Sequence, residues 1–166
     1  MDSDQSFIIF FTFICISFLI IIYISGAIIR GHQKKKIREQ IYELADSTLE
    51  LTPEEFLEIR NKSFGGRGRA LYSNNYSFSG VYILHNKSKD LYYVGQGKQI
   101  LNRVNNHFTG KGNGDVYADY KYGDFWTIKM IDLKKSDFYT LNELERHTIE
   151  TYDSYERGYN RTRGNR

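Results

Sequence analysis

Residues 80–95 read GVYILHNKSKDLYYVG, and this stretch decides the fold. Val, Ile and Tyr suit a pleated surface, while Asn-Lys-Ser-Lys-Asp is turn chemistry. The spacing predicts two short strands, residues 80–85 and 91–95, joined by a polar turn over residues 86–90. Pairing symmetric about that turn sets Tyr82 opposite Tyr93, Ile83 opposite Tyr92 and Val81 opposite Val94. One face of the hairpin then carries two phenols side by side. As an aromatic cross-strand pair alone they would contribute about 0.2–1 kcal/mol.

The chain beyond the hairpin gives that face neighbours. Residues 98–109 have a helical pattern, with Ile100, Leu101, Val104 and Phe108 on one side. Arg103 and His107, four apart, project together from the border of that side, and such a guanidinium can meet a phosphate in fork geometry. A Gly-rich break at residues 110–114 precedes a short helix over residues 115–122. Residues 125–133 alternate as a third strand, with Trp126, Ile128 and Met130 on one side. Residues 140–152 then form a helix whose apolar face holds Leu141, Leu144, Thr148, Ile149 and Tyr152, with Glu145 inside it. A carboxylate placed there must be paired, protonated or bound to a cation, because an isolated buried charge costs several kcal/mol. His147 falls on the far side of this helix, and His85 and His32 have no evident partner.

The N-terminal part has a different composition. Residues 7–29 carry no charge, long enough at about 1.5 Å per residue to cross the roughly 30 Å hydrocarbon layer of a bilayer. A signal peptide would begin with a basic segment, whereas residues 1–6 contain Asp2 and Asp4 and no cation. Arg30, Lys34, Lys35, Lys36 and Arg38 follow the apolar run, so the positive-inside rule predicts an external N-terminus and a cytoplasmic remainder at the cell membrane. The same cations suit anionic lipid headgroups. The single cysteine, Cys15, lies in the apolar run, which excludes an intramolecular disulfide and a multi-cysteine metal site. A net charge of +3 is compatible with a polyanionic partner without specifying one.

Between membrane and hairpin, Ile37, Ile41, Leu44, Ala45 and Leu49 lie near one side of a helix. Thr52-Pro53-Glu54-Glu55 is a helix start, with Thr as N-cap, Pro at the first helical position and Glu completing a capping box. Residues 64–69, FGGRGR, form a flexible basic stretch. The expected organisation is an external N-terminus at 1–6, a membrane helix at 7–29, a basic and helical linker at 30–71 and a catalytic-size domain at 72–166.

Gly80-Val81-Tyr82, Tyr93-Val94-Gly95, Arg103 in LNRV, His107, Glu145 in ELERHTIETY and Gly158-Tyr159-Asn160 together resemble the motifs of the GIY-YIG nuclease family. The resemblance runs over residues 78–165, with Val in place of Ile in both name motifs. It implies an α/β domain with a three-stranded antiparallel sheet flanked by helices, here preceded by the transmembrane helix. It also implies phosphodiester hydrolysis with one divalent metal, Mg²⁺ or Mn²⁺. Carried over residue by residue, Glu145 would hold the metal and Arg103 would neutralise the non-bridging phosphate oxygens. Tyr82 would be the general base, its pKa depressed by the cation and Arg103 or its proton relayed through His107, with Tyr93 positioning water or phosphate and Asn160 holding the architecture. Expected nucleic-acid contacts are Arg67, Arg69, Lys98, Lys111, Arg161 and Arg163. The expectation is a membrane-tethered endonuclease acting on DNA, for which incoming phage or transforming DNA is the natural substrate. A phosphate-directed site does not by itself distinguish RNA from DNA. The competing expectation is a catalytically silent, membrane-anchored nucleic-acid-binding module.

Overall fold

The computed structural model describes residues 3–61 and 77–164. Two compact units emerge, Met1–Glu39 and Gln40–Arg166. The first is helical throughout its described part and belongs to helix α1 (Ser3–Asp46). From Phe10 onward it is long and apolar enough to cross a membrane, and Phe11, Phe13, Phe18 and Leu19 are all more than half exposed.

In the second unit, the last turns of α1 lead to α2 (Pro53–Asn61), then β1 (Gly80–Asn86) and β2 (Leu91–Gly97). Helices α3 (Ile100–Phe108) and α4 (Gly114–Lys121), strand β3 (Trp126–Asp132), a 3₁₀ turn at Leu133–Lys135 and α5 (Leu141–Thr151) complete it. The sheet is three-stranded and antiparallel, in the order β2-β1-β3. Flanking helices make this the expected architecture. Because β1 is central and covered on both faces, it is buried along almost its whole length rather than alternately. Tyr82, Leu84, Phe56, Ile100, Val104, Val116, Trp126 and Ile128 make up most of one core cluster. Each aliphatic or aromatic side chain so buried contributes on the order of 1.5–3 kcal/mol.

The hairpin register differs from the symmetric one. Tyr82 pairs with Gly95, Ile83 with Val94, Leu84 with Tyr93 and His85 with Tyr92. Asn86 is the cause: its side-chain oxygen accepts from the backbone N–H groups of Ser88 and Lys89, folding the turn inside residues 87–90 and leaving Asn86 to pair with Leu91. The shift is two residues, so Tyr82 and Tyr93 keep the same face but become diagonal neighbours, ring centroids 6.2 Å apart. His85 also has partners after all: it stacks on Tyr92 at 4.0 Å and lies 2.9 Å from an Asp90 carboxylate oxygen.

The segment after the apolar helix packs into this unit. Ile41, Ala45 and Phe56 are fully buried, and the Tyr42 hydroxyl donates to the carbonyl of Thr151. Leu49, expected beside Ile41 and Ala45, is instead exposed beyond the helix end at Asp46. Leu51 exchanges two backbone hydrogen bonds with Ile128 on the outer edge of β3. The capping box forms: Thr52 Oγ1 accepts from the Glu55 N–H, and Glu55 accepts from the Thr52 N–H at 2.8 Å. The expected boundary near residue 72, and the Gly-rich stretch with Arg67 and Arg69, lie outside the described residues.

Candidate active site

The functional side chains gather along β2, an edge strand that receives a helix from each side. Tyr93 shares the face of Tyr82, toward α3, whose buried stripe of Ile100, Leu101, Val104, His107 and Phe108 seats it on the sheet. Gln96 has the opposite parity and meets α5, where its Nε2 donates to Glu145 Oε2 at 3.0 Å and to Asn142 Oδ1 at 2.8 Å. Thr140 starts α5 as an N-cap, accepting from the Glu143 N–H, and this sets the helix phase that turns Glu145 inward.

Across the edge of β2 lies Asn160. Its Oδ1 accepts from the Val94 N–H and its Nδ2 donates to the Val94 carbonyl, both at 2.8 Å. One side chain thereby takes the place of a neighbouring strand. Tyr159, just before it, donates its hydroxyl to Asp119 at 2.6 Å and accepts from Asn86 Nδ2. Lys89 joins that group through ion pairs to Asp119 and Asp124. The segment carrying Asn160 is thus tied to both the hairpin turn and α4.

Two cavities meet at this edge. One, about 480 Å³, is lined by Tyr93, Arg103, His107, Lys111, Glu145 and Asn160 among others. The other, about 620 Å³, is lined by Tyr93, Gln96, Lys98, Asn102, Arg103 and Glu145 among others. Tyr93, Arg103 and Glu145 line both. A phenol, a guanidinium and a carboxylate converging on one open cleft can hold a phosphate and position a water against it.

Tyr82 is not in the cleft. Its side chain is fully buried, with the hydroxyl 2.8 Å from His107 Nε2. Burial, and then Tyr93, push its phenol far above the ordinary value of 10 and so disfavour its phenolate. Tyr93 is also raised, by burial, but the hydroxyl contact with Tyr82 and the Arg103 charge act in the opposite sense. His107 is buried beside both rings, and burial together with Arg103 lowers it to about 4.

The donor set suits a hard divalent cation held by one protein oxygen. Mg²⁺ binds through one or two carboxylates and completes its shell with water and substrate phosphate. Glu145 supplies a carboxylate oriented by Gln96 at the wall of a polar cleft. Among the described residues no group of three or more His, Cys, Asp or Glu side chains forms a fuller cage.

Of the expected nucleic-acid contacts, Lys98 and Lys111 line the two cavities, and Arg161 lines the first while pairing with Asp115. Arg163 pairs with Glu156 and lies over the Tyr155 ring. Sequence reasoning missed Gln96, Asn142, Gly112 and Asn113. Only the Gly-rich run at residues 110–114 hinted at the last two, since a side chain on Gly112 would stand 2.6 Å from His107 Nδ1.

An edge-strand tyrosine, a helical arginine, a glutamate from the opposite helix and an asparagine clasping the strand meet at one cleft on a small antiparallel α/β fold. A family model for the GIY-YIG catalytic domain matches residues 78–160, and the chain belongs to this family of nucleases. No curated protein and no solved structure matches the chain.

Proposed function

We propose that the chain is a membrane-anchored endonuclease that hydrolyses phosphodiester bonds in DNA with Mg²⁺ or Mn²⁺ bound through Glu145. The observation that carries this reading is the convergence of Tyr93, Arg103 and Glu145 on both cavities. A nucleic acid strand lying along them has room on either side of the reacting phosphate, as internal cleavage requires. Tyr93, the half-buried phenol at the wall of the cleft, takes the water proton as its phenolate while the water oxygen attacks phosphorus. The bond to the leaving oxygen then breaks, with the electron pair departing on that oxygen. Arg103 neutralises the non-bridging oxygens as negative charge gathers on them. When bound, the divalent ion supplies Lewis-acid stabilisation of the phosphate and the leaving oxygen. Lys98, Lys111 and Arg161 hold the flanking phosphates, and Asn160 keeps β2 in place. Cleavage of plasmid by the full chain in detergent, with Mg²⁺ or EDTA, beside Glu145→Ala and Arg103→Ala, tests this. Metal-dependent nicking lost in both variants supports it. Intact plasmid under every metal, with DNA still bound, returns the chain to the binding-module reading.

The apolar first part of α1 and the cations that follow it within the same helix support anchoring with the catalytic unit in the cytoplasm. Held there, a small nuclease meets incoming phage or transforming DNA before other nucleic acid. Protection or uptake that is unchanged on removal of residues 1–29 would sink that part of the proposal.

A further inference from the structure

His107 occupies the end of α3, with each ring nitrogen engaged by a different partner. Nδ1 lies 3.0 Å from the backbone N of Asn113, and Nε2 lies 2.8 Å from the Tyr82 hydroxyl. A backbone N–H can only donate, so Nδ1 must be the bare, accepting nitrogen. In a neutral imidazole the proton then sits on Nε2 and points at Tyr82. The ring is almost completely buried, and burial beside Arg103 holds it neutral.

The turn that delivers this N–H is built for close approach. A Cβ on Gly112 would stand 2.6 Å from Nδ1, 2.8 Å from Cγ and 2.9 Å from Cα of His107, so only glycine lets the backbone come this near. Asn113 is fixed in turn: its Oδ1 caps α4 by accepting from the N–H groups of Asp115 and Val116, and its Nδ2 donates to the Tyr159 carbonyl.

We propose that the Gly112–Asn113 turn locks His107 as a one-way hydrogen-bond donor to Tyr82, so that Gly112 and Asn113 are positioning residues for the Tyr82–Tyr93 pair. This overturns the expectation of a relay through His107. With Nε2 already protonated, the imidazole has no lone pair facing Tyr82 and cannot accept its proton. Instead the donors point one way, from Asn113 to His107 and from His107 to Tyr82, and the Tyr82 O–H is thereby left to turn toward the neighbouring Tyr93 ring, 6.2 Å away between centroids. The row stabilises negative charge on Tyr93 without moving a proton through the buried rings. The catalytic consequence rests on the nuclease reading above; the tautomer does not.

The test is nitrogen NMR of the full chain in detergent micelles at neutral pH, labelled with ¹⁵N-histidine and ¹⁵N-asparagine. The His107 signals are assigned by their loss in His107→Gln. The expected result is a protonated Nε2, a bare Nδ1 and a scalar coupling between Nδ1 and the Asn113 amide nitrogen across the hydrogen bond. Gly112→Ala should abolish that coupling and shift the ring toward the Nδ1-protonated form. If Gly112→Ala does not fold, the wild-type coupling and tautomer decide alone. A wild-type ring protonated on Nδ1, or on both nitrogens, overturns the proposal. So does a folded Gly112→Ala with an unchanged ring.

Cleavage adds a second readout. His107→Gln keeps an N–H near the Nε2 position and should stay within about tenfold of wild type, whereas His107→Leu should lose on the order of 10²–10³-fold, as for removal of one preorganised donor. Equal losses in the two variants overturn the one-way donor. If the wild-type chain cleaves nothing, the nuclease reading falls while the ring measurement still decides this one.

Discussion

The hydroxyl of Tyr82 lies over Gly95, its partner in the hairpin, so closely that a Cβ there would stand 2.3 Å from the oxygen. The glycine of the second name motif is therefore a space requirement of the tyrosine in the first. Gly95→Ala should displace the Tyr82 ring from His107, destabilise the fold by about 1–3 kcal/mol through overpacking and abolish cleavage. Denaturant midpoints and plasmid nicking, measured together, check this. A variant that nicks normally would show that the ring does not need its present seat.

Asn160 should behave as a structural clasp. Asn160→Ala leaves the Val94 N–H and carbonyl without their side-chain partner, at a cost of about 1–3 kcal/mol. Asn160→Asp loses the donor and sets a carboxylate against the carbonyl, so it should be no better. Urea titration gives the stability, and activity should fall with the folded fraction. Full stability with lost activity would point to direct contact with substrate instead.

Cleavage should rise with pH. Burial raises Tyr93 while Tyr82 and Arg103 oppose that, and in the proposed reaction the reactive form is the phenolate. Its population, and with it kcat/KM, should climb about tenfold per pH unit from about pH 6 until the phenol is titrated. Arg103→Lys should lower the whole profile. A limb near the ordinary histidine value of 6.5 would mean that His107 titrates in the reaction, against its placement at about 4.

Stability should fall with acid over a defined window. His107 titrates near 6.5 in the unfolded chain and at about 4 in the folded one. Between those values the unfolded state binds the extra proton, so lowering the pH costs stability, up to about 3 kcal/mol. Thermal melts of His107→Gln, which keeps His85 and His147, should show a flatter acid slope than wild type. Parallel slopes would refute this assignment.

A soluble fragment should need more chain than the motifs suggest. Residues 72–166 lack Ile41, Ala45, Leu51 and Phe56, and burying each large side chain contributes on the order of 1.5–3 kcal/mol. That fragment should melt broadly or aggregate, while residues 40–166 melt cooperatively. Equal melting curves for the two would show that the N-terminal segment is dispensable.

Much of this was legible in the chain. Strand-forming residues, turn chemistry and helical periodicity located the sheet's strands and the helices that follow them to within a residue or two, because the strands are bounded by polar turns and α3 and α5 each bury a definite face. Thr52 announced its capping box. Glu145 stood out as a carboxylate on an apolar stripe. Register was not legible, since it depends on Asn86 folding its side chain back onto the turn, which composition does not distinguish from an ordinary polar loop residue. Nor was the division of labour between the tyrosines. Both are strand residues on one face, and only the third dimension leaves Tyr93 at the cleft while covering Tyr82. Gln96 and Asn113 escaped notice because amides act here through geometry, without a charge or a periodic pattern to betray them.

Both edges of the sheet are covered near their middles. On one side Asn160 occupies the outward N–H and carbonyl of Val94, and Tyr159 donates its backbone N–H to Tyr92. On the other, Leu51 takes both outward groups of Ile128. Proteins gathered on a bilayer collide far more often than the same number dispersed in the cytosol, and unpaired strand edges are where such encounters turn into aggregates. In the proposed membrane-anchored form, the clasp and the Leu51 bridge would deny a crowded neighbour those two points of the sheet's edges.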